Sequence, residues 1–581
     1  MKAAALPLVL TCAALAGTQL SISQPNHQAS KSQATNSTSK QLSPEEQAWC
    51  QVLKSALVGA ADQEPRMRSY LLDAVASGLS KCAPEKVRNA FVDSFTATLA
   101  IPETREELDQ RMHRFYRGER SDQATEELRF NLQMKEALQR SALGHLLTID
   151  EATVDSLLPQ AEPDVRAGLM RQMISRSTSA KNFDRAIELL SRTPSKEWFP
   201  RMFPFREATQ LMLELPPDRE QSKQEIFRVA MTADRERLSF TTSGDDFAGM
   251  IVRFWRHIPP AIVLEAIHQV LDKPNLVKDG LTVNSSSGKM AFSNEHDYHV
   301  FELLPILREL DSDAANKLLQ SSQQAQLQLK QFPNGVQSLD PSLGDSAPKQ
   351  GELPHRVWLS TAELDRRVPN HTDQVNPANA RVREIVRTAP DNPAQATAAA
   401  ATLPEAVGFS DVPVLFPRAE AYLGIARALM KSDPSVARDA LEQMSDSLKH
   451  IANAYRPMHQ WTDGIMVAKE MGDADLAVGL FRSGLEEAER LRNEDSDPAD
   501  PNMAIKAFWP SVCAYSGLAL AASQISPQTA LDGIRDLKDP EILLLLEIKL
   551  ANKMLGAREV PSSTIVQKQS SHGGFYGGCT N

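Results

Sequence analysis

The chain has 581 residues, of which 26 are glycine, 36 are proline and 6 % are aromatic. These proportions exclude collagen, a glycine-rich low-complexity chain and a multispanning membrane protein, and they disfavour a large β-sandwich. The 63 basic and 74 acidic residues give a net charge of −11, which excludes a protein that attracts nucleic acid through an overall positive field.

The first 16 residues have the pattern of a cleaved export signal. Lys2 precedes an uncharged run from Ala3 to Ala16, which ends in the small-x-small sequence Ala14-Leu15-Ala16. This run is shorter than the roughly 20 residues that span a bilayer. The alternatives are an uncleaved anchor, a buried N-terminal helix, or a lipoprotein modified at Cys12. We expect a signal peptide over 1–16, export to the periplasm or the cell exterior, and no membrane span after its removal.

Proline marks the predicted helix starts along the rest of the chain. Residues 17–42 are polar and predict a disordered tether. The sequence Ser43-Pro44-Glu45-Glu46 that follows has a capping serine, a proline at the first helical position and a glutamate at the third, which together form a capping box. Asp433-Pro434, Ser526-Pro527 and Asp539-Pro540 repeat this arrangement. Because apolar residues recur at helical intervals behind such starts, we predict an all-α fold.

One helical unit recurs in the sequence. Pro65, Pro163 and Pro540 each follow an acidic residue. Apolar residues stand two, six, ten and eleven positions after each proline, namely Met67, Leu71, Val75 and Ala76; Val165, Leu169, Met173 and Ile174; Ile542, Leu546, Leu550 and Ala551. A short helical unit cannot bury its apolar face alone, so we expect the copies to stack as antiparallel hairpins in an α-solenoid.

Two stretches interrupt the helical pattern. Residues 274–294 contain Leu281-Thr282-Val283 and Lys289-Met290-Ala291-Phe292, which predict one short hairpin or irregular excursion. Residues 335–356 are punctuated by proline and glycine and predict a linker. The expected organisation is an N-terminal helical-repeat lobe over 43–334, a C-terminal helical lobe over 357–558 and a flexible tail over 559–581.

Part of the second lobe resembles a tetratricopeptide repeat. Trp461, Ala477 and Phe481 lie at the spacing of three signature positions of that family, and Met471-Gly472-Asp473 resembles its inter-helix turn. Ala186 lies in a second, degenerate copy. The chain as a whole is similar to exported bacterial helical-repeat proteins of unassigned function. The resemblance implies stacked helix pairs with a concave binding surface, and it implies no catalytic residues.

Removal of the signal leaves four cysteines, Cys50, Cys82, Cys513 and Cys579. Four cysteines allow two disulfides in three connectivities. Cys50 and Cys82 flank the first predicted hairpin, so a bond between them is one possible pairing. A thiolate-held structural metal is disfavoured because the sequence contains no CxxC motif.

The sequence offers three weak candidates for chemistry. His296 and His299 could share a helix face with carboxylates and bind a divalent metal, or they could be solvated or packed in a first helical turn. The acidic run Glu494–Asp500 is typical of a solvated loop rather than a calcium site. Arg253–His257 could bind anions or stack bases, or place its aromatic residues in the core.

These observations favour an exported, non-catalytic helical-repeat scaffold that binds a protein or peptide partner, without a cofactor. The alternative is a metal-dependent hydrolase that uses His296 and His299.

Overall fold

The computed structural model describes the following residues: 42–115, 123–193, 203–235, 246–274, 281–285, 288–338, 377–409, 412–449, 458–492 and 506–557. The predicted signal peptide, the tether up to residue 41, residues 339–356 of the predicted linker and the predicted tail lie outside the described residues.

The described residues form a predominantly helical protein, as the all-α prediction requires. The helices are α1 (Pro44–Ala61), α2 (Pro65–Cys82), α3 (Pro84–Leu99), α4 (Arg105–Phe115), α5 (Gln123–Leu147), α6 (Glu151–Leu157), α7 (Pro163–Ser179), α8 (Phe183–Ser191), α9 (Phe205–Glu214), α10 (Glu220–Arg235), α11 (Phe247–Phe254), α12 (Pro260–Leu271), α13 (Glu295–Leu310), α14 (Ser312–Ser321), α15 (Gln323–Gln331), α16 (Pro377–Thr388), α17 (Pro393–Ala401), α18 (Pro417–Leu429), α19 (Pro434–Lys449), α20 (Met458–Glu470), α21 (Ala474–Arg492), α22 (Pro510–Ser523), α23 (Pro527–Arg535) and α24 (Pro540–Met554). None of these helices within the described ranges is long and apolar enough to cross a membrane.

Two antiparallel hairpins stand among the helices. Strands β1 (Leu281–Ser285) and β2 (Gly288–Phe292) pair with Leu281 opposite Phe292, inside the predicted excursion. Strands β3 (Val407–Phe409) and β4 (Val412–Leu415) form a second hairpin, which corrects the expectation of a single excursion. The second hairpin has a physical basis in the sequence, because Phe409 and Val412, which favour strands, flank a connection of only two residues.

Proline begins many of the helices because its missing N–H is one that a first helical turn leaves without an intrahelical partner. At α1, the Ser43 side chain accepts from the Glu46 backbone, and the Glu46 side chain accepts from the Ser43 backbone, which completes the capping box. At α24, the Asp539 carboxylate accepts from the amides of Glu541 and Ile542. Pro305 is an exception, because it lies inside α13.

The three aligned proline helices bury equivalent side chains. Helices α2, α7 and α24 begin at Pro65, Pro163 and Pro540. The side chains two, six, ten and eleven positions later are all buried in the three helices. The repeated pattern therefore marks one face that each copy packs into the core.

Alternate helices contact each other, which arranges them in two rows. Row A contains α5, α7, α9, α11, α13 and α15 in one half of the chain, and α16, α18, α20, α22 and α24 in the other. Row B contains α8, α10 and α12 in the first half, and α19, α21 and α23 in the second. One continuous hydrophobic cluster runs from Trp49 to Leu555 through both halves.

The last described helix packs against the first two described helices. Helix α24 contacts both α1 and α2, and α2 in turn contacts α5. When the helices are ordered by their contacts rather than by sequence, the helices of 377–557 come first, and those of 42–338 follow them. The first hairpin of the chain therefore lies in the interior of the series. Residues 335–338, predicted to begin the linker, form a 3₁₀ turn packed on α13.

Candidate functional site

Three helix starts converge on a buried polar site. Asp246 caps α11 by accepting from the Gly249 amide, and Asn294 caps α13 by accepting from the Asp297 amide. Ser322 caps α15 by accepting from the Ala325 amide. Helix N-termini carry partial positive charge and favour acidic side chains, so the local sequence gathers carboxylates at this point.

We call the resulting group the His299 cluster. Its members are Asp246, Glu295, Asp297, His299, Glu302 and Ser322. Each is no more than 9 % exposed. The Ser322 hydroxyl donates to the Asp297 carboxylate, which joins the start of α15 to the start of α13. Strand β2 covers the neighbouring part of α13, where the Phe292 ring packs 5.4 Å from the Phe301 ring.

His299 lies between two carboxylates of its own helix. Its Nδ1 is 3.2 Å from Glu302 Oε2, and its Nε2 is 3.7 Å from Glu295 Oε1. Burial alone would lower the pKa of His299, but the two glutamates, with Asp246 nearby, raise that pKa to about 9. His299 is therefore an imidazolium at neutral pH, and it offsets part of the negative charge buried around it.

This geometry limits what the cluster can do chemically. A metal-binding histidine needs an unprotonated ring nitrogen, whereas both nitrogens of His299 face carboxylates. His296 is only half-buried and takes no part in those two contacts. Within the residues that the structure describes, no group of three or more His, Cys, Asp or Glu side chains is arranged to hold a metal ion. The arrangement suits a structural role, in which buried charges and hydrogen bonds hold the starts of three helices together.

The signature residues of the tetratricopeptide resemblance lie in the core. Trp461 on α20 and Ala477 and Phe481 on α21 are all fully or almost fully buried. Phe481 reaches α23, where a Cβ added to Gly533 would lie 2.5 Å from its ring. Gly472, in the turn between α20 and α21, has a φ of 77°, which favours glycine. Phe481 thus joins one helix pair to the next.

The structure brings Cys50 and Cys82 together in a disulfide that ties the second turn of α1 to the end of α2. Cys513 is also disulfide-bonded. The residues of the Arg253–His257 candidate have different environments. Phe254 is buried, whereas the Arg256 guanidinium lies over the Trp255 ring at 4.5 Å. The acidic run Glu494–Asp500 lies outside the described residues.

Sequence reasoning missed a partly buried ionic network at the base of α4. Arg105 pairs with both Glu136 on α5 and Asp164 on α7. Lys135, beside it on α5, pairs with Glu162 at the start of α7. Burial raises the pKa of Glu136, and the Arg105 charge opposes that shift. Lys135-Glu136 is a charged pair within the buried stretch Met134–Gln139 of α5, and its position between core residues is the signal that could have revealed the network.

Two open cavities are lined by described residues. One, of about 520 Å³, lies at the turns before α19 and α21 and is lined by Pro434, Ser435 and Met471–Asp475. The other, of about 700 Å³, is lined by one face of α10.

Comparison of the chain with protein-family models and with curated proteins finds no match.

Proposed function

We propose that the chain is an exported, non-catalytic α-solenoid of the tetratricopeptide type, which serves as a scaffold for a protein or peptide partner. The observation that carries this proposal is a series of polar contacts between side chains 30 to 36 residues apart. They are Arg185–Glu151, Arg219–Asp184, Arg235–Glu265, Arg427–Asp463, Arg438–Asp473 and Lys506–Asp539.

This spacing supports a repeat of two helices. A tetratricopeptide unit has about 34 residues, so equivalent positions of neighbouring units lie that far apart in sequence. A side chain of one unit then meets the corresponding region of the next. The recurrence in both halves of the chain supports one repeating architecture, although the side chains have diverged.

A repeating array favours recognition over catalysis. Each unit contacts only its neighbours, so the array presents a long surface on which a partner contacts several units. The buried charges of the His299 cluster are held within that array, where His299 offsets part of the charge of the carboxylates around it.

Export is supported by two independent features. The first 16 residues have the composition of a signal peptide. The disulfide between Cys50 and Cys82 is of a kind that persists in oxidising compartments and is rare in the cytosol.

Photo-cross-linking in the cells that produce the protein tests the proposal. A photoreactive amino acid is introduced at exposed positions of row B and, as the matched control, of row A. The row B positions are Glu188, Glu225 and His268, and the row A positions are Gln172, Gln210 and Arg308. We expect one partner of defined mass to be captured repeatedly along one row and not along the other. Absence of a recurrent adduct in both rows would contradict a scaffold function.

A further inference from the structure

Cys513 forms a disulfide, and the cysteine content of the chain restricts its partner. The sequence contains five cysteines, namely Cys12, Cys50, Cys82, Cys513 and Cys579. Cys50 and Cys82 are bonded to each other, and Cys513 is bonded as well. Because a cysteine forms one disulfide, the partner of Cys513 within one chain is Cys12 or Cys579. Cys12 lies in the expected signal peptide, and removal of that peptide leaves Cys579.

Cys513 lies on the one side of α22 that the core leaves partly exposed. From Ser511 to Ser523, every residue of this helix is buried except Cys513, Gly517 and Leu520. These three residues are four and three positions apart, so they follow one side of the helix. None of them carries a charge or a hydrogen-bonding side chain. We call this apolar strip the Cys513 stripe.

The Cys513 stripe lies within reach of the chain that follows α24. Connections of three and four residues join α22 to α23 and α23 to α24, so the chain reverses its direction twice. Helices α22 and α24 therefore run the same way, and they contact each other in row A. Residue 557 follows the end of α24, whereas Cys513 lies near the start of α22. The path between them runs back along the helices for about 25 Å, because α24 is about 22 Å long and neighbouring helix axes are about 10 Å apart.

The segment 558–578 has the length and the composition for this path. The 22 residues from 558 to 579 extend to at most about 73 Å, and a flexible chain of that size has a mean end-to-end distance of about 25 Å. The only aromatic residues of the segment, Phe575 and Tyr576, stand between two pairs of glycines and within four residues of Cys579. A bond to Cys513 brings both rings to the apolar stripe, and the glycines allow the backbone to approach the helix closely.

We propose that Cys513 is bonded to Cys579 and that residues 558–578 form a strap along row A, in which Phe575 and Tyr576 cover the Cys513 stripe. Formation of the bond removes one hydrogen from each thiol. The two electrons pass to a disulfide oxidant of the export compartment, which becomes a dithiol. In the oxidised protein, a partner that contacts row A at α22 must therefore bind beside the strap or displace it. This consequence rests on the scaffold function proposed above, whereas the bond and the strap do not.

Peptide mapping tests the bond. The mature protein is purified from the cells that export it, alkylated without reduction and digested with trypsin. We expect the peptide 507–535, which contains Cys513, to be joined to the peptide 569–581, which contains Cys579. As an internal control, the peptides 41–54 and 82–86 should be joined through Cys50 and Cys82. Recovery of 507–535 in alkylated form, joined to a second copy of itself, or joined to 3–31 would overturn the bond and leave the scaffold function standing.

Hydroxyl-radical footprinting tests the strap. The variant Phe575→Ser/Tyr576→Ser/Cys579→Ser removes the bond and both rings. We expect oxidation of Leu520 to rise about twofold or more in the monomer of this variant, because two aromatic rings cover enough area to bury a leucine side chain. Leu518, which is fully buried on the other side of α22, should stay unlabelled. A rise at Leu518 equal to that at Leu520 would mean that α22 unfolds rather than loses a cover, and it would overturn the strap.

The matched control is Ser570→Ala/Ser571→Ala/Thr580→Ala, which changes the same segment but keeps the bond and both rings. This control should be labelled at Leu520 as the unmodified protein is. Leu327 on α15 is 57 % exposed and should be labelled equally in all three proteins. Equal labelling of Leu520 in all three would overturn the strap even where peptide mapping finds the bond.

Discussion

Asn552 Nδ2 donates a hydrogen bond to the backbone carbonyl of Ala74, 2.9 Å away, although 478 residues separate them along the chain. This bond lies at the contact of α24 with α2. It brings the last helix against the first hairpin and makes the array continuous across the ends of the sequence. Helices α14–α15 and α16–α17, which flank residues 339–376, then come at the two ends of the series of contacts.

The close approach of α24 to α2 depends on Gly78. A Cβ added to Gly78 would lie 2.1 Å from Asn552 Oδ1 and 2.5 Å from Leu53 Cδ1. We expect Gly78→Ala to destabilise the protein by about 1–3 kcal/mol, because the helices must move apart or the side chains must leave their rotamers. Urea unfolding followed by circular dichroism measures the change.

Gly168 provides the matched control for this substitution. It also lies within a helix, but a Cβ added there meets nothing within 4 Å. Gly168→Ala is expected to stabilise the protein by about 0.5–1 kcal/mol, because alanine favours a helix more than glycine does. If the two substitutions had the same effect, the contact between α24 and α2 would not constrain Gly78.

The sequence predicts helix starts well and the order of helices in space poorly. A proline behind a capping side chain is a local signal, so Pro44, Pro527 and Pro540 identify their helices without tertiary information. The position of α24 depends on its contact with α1 and α2, which are far away in the sequence and which the local pattern of α24 does not specify. A signal for it exists, however, since Ile542–Leu546 are apolar around the whole helix, whereas a terminal repeat needs a polar outer face.

The candidate site likewise has features that the sequence predicts and features that depend on tertiary contacts. Sequence spacing singles out His296 and His299 as neighbours on one helix, and they are. The charge state of His299 depends instead on Glu295 and Glu302 being buried with it, and on Asp246 arriving from another helix. Burial and long-range contact therefore turn a candidate metal ligand into an ion-paired imidazolium.

The His299 cluster gives a pH-dependent stability. The pKa of His299 rises from 6.5 to about 9 on folding, so its contribution is fully present below pH 6.5. That contribution is lost as the pH rises through 9. Between pH 6 and pH 10 we expect the free energy of unfolding to fall, relative to a His299→Gln variant, by on the order of 3 kcal/mol.

Urea unfolding of both proteins at several pH values measures this difference. Groups outside the His299 cluster that titrate in this range are present in both proteins, so their contributions cancel. His268→Gln, which removes an exposed histidine from α12, is the control and should retain the fall in stability that His299 produces. Parallel curves for the unmodified protein and His299→Gln would show that His299 carries no such linkage.

The burial of an ion pair should determine how much the pair contributes to the free energy of unfolding. The Arg105 and Glu136 side chains are 17 % and 8 % exposed, so Arg105→Met leaves a buried carboxylate without its partner. We expect a loss of about 3–5 kcal/mol, which shrinks at low pH as Glu136 takes up a proton. Arg235 and Glu265 are more than half exposed, and Arg235→Met should cost less than about 1 kcal/mol. Equal losses in thermal or urea unfolding would contradict this ranking.

The disulfide should stabilise more than its own hairpin. Cys50 and Cys82 are 32 residues apart, and a loop of that size gives about 3–4 kcal/mol of stabilisation by the chain-entropy model. Cys50→Ser/Cys82→Ser should lose about that amount. Because α24 packs on α1 and α2, hydrogen exchange should show reduced protection in α24 as well. Unchanged protection in α24 would mean that the hairpin and the last helix open independently.

The order in which the helices contact one another also predicts that the chain tolerates circular permutation. A Cβ added to Gly556, just after α24, would lie 3.6 Å from Lys81 Nζ, and the neighbouring Cys82 is bonded to Cys50 in α1. The end of α24 is therefore close to the start of α1, and a flexible link of about 10 residues can join residue 557 to residue 43.

A permuted chain that begins at residue 377 and ends at residue 338 would follow the helices in their order of contact. We expect its circular dichroism spectrum and midpoint of urea unfolding to match those of an unpermuted chain of residues 43–557. As a control, a second permuted chain begins at residue 458 and ends at residue 449. It contains the same link between residues 557 and 43, but its backbone is broken between α19 and α20. Residues 450–457 are then absent, and we expect this chain to be less stable. If the first permutant fails to fold while the second succeeds, the packing of α24 on α1 and α2 does not hold the two halves of the chain together.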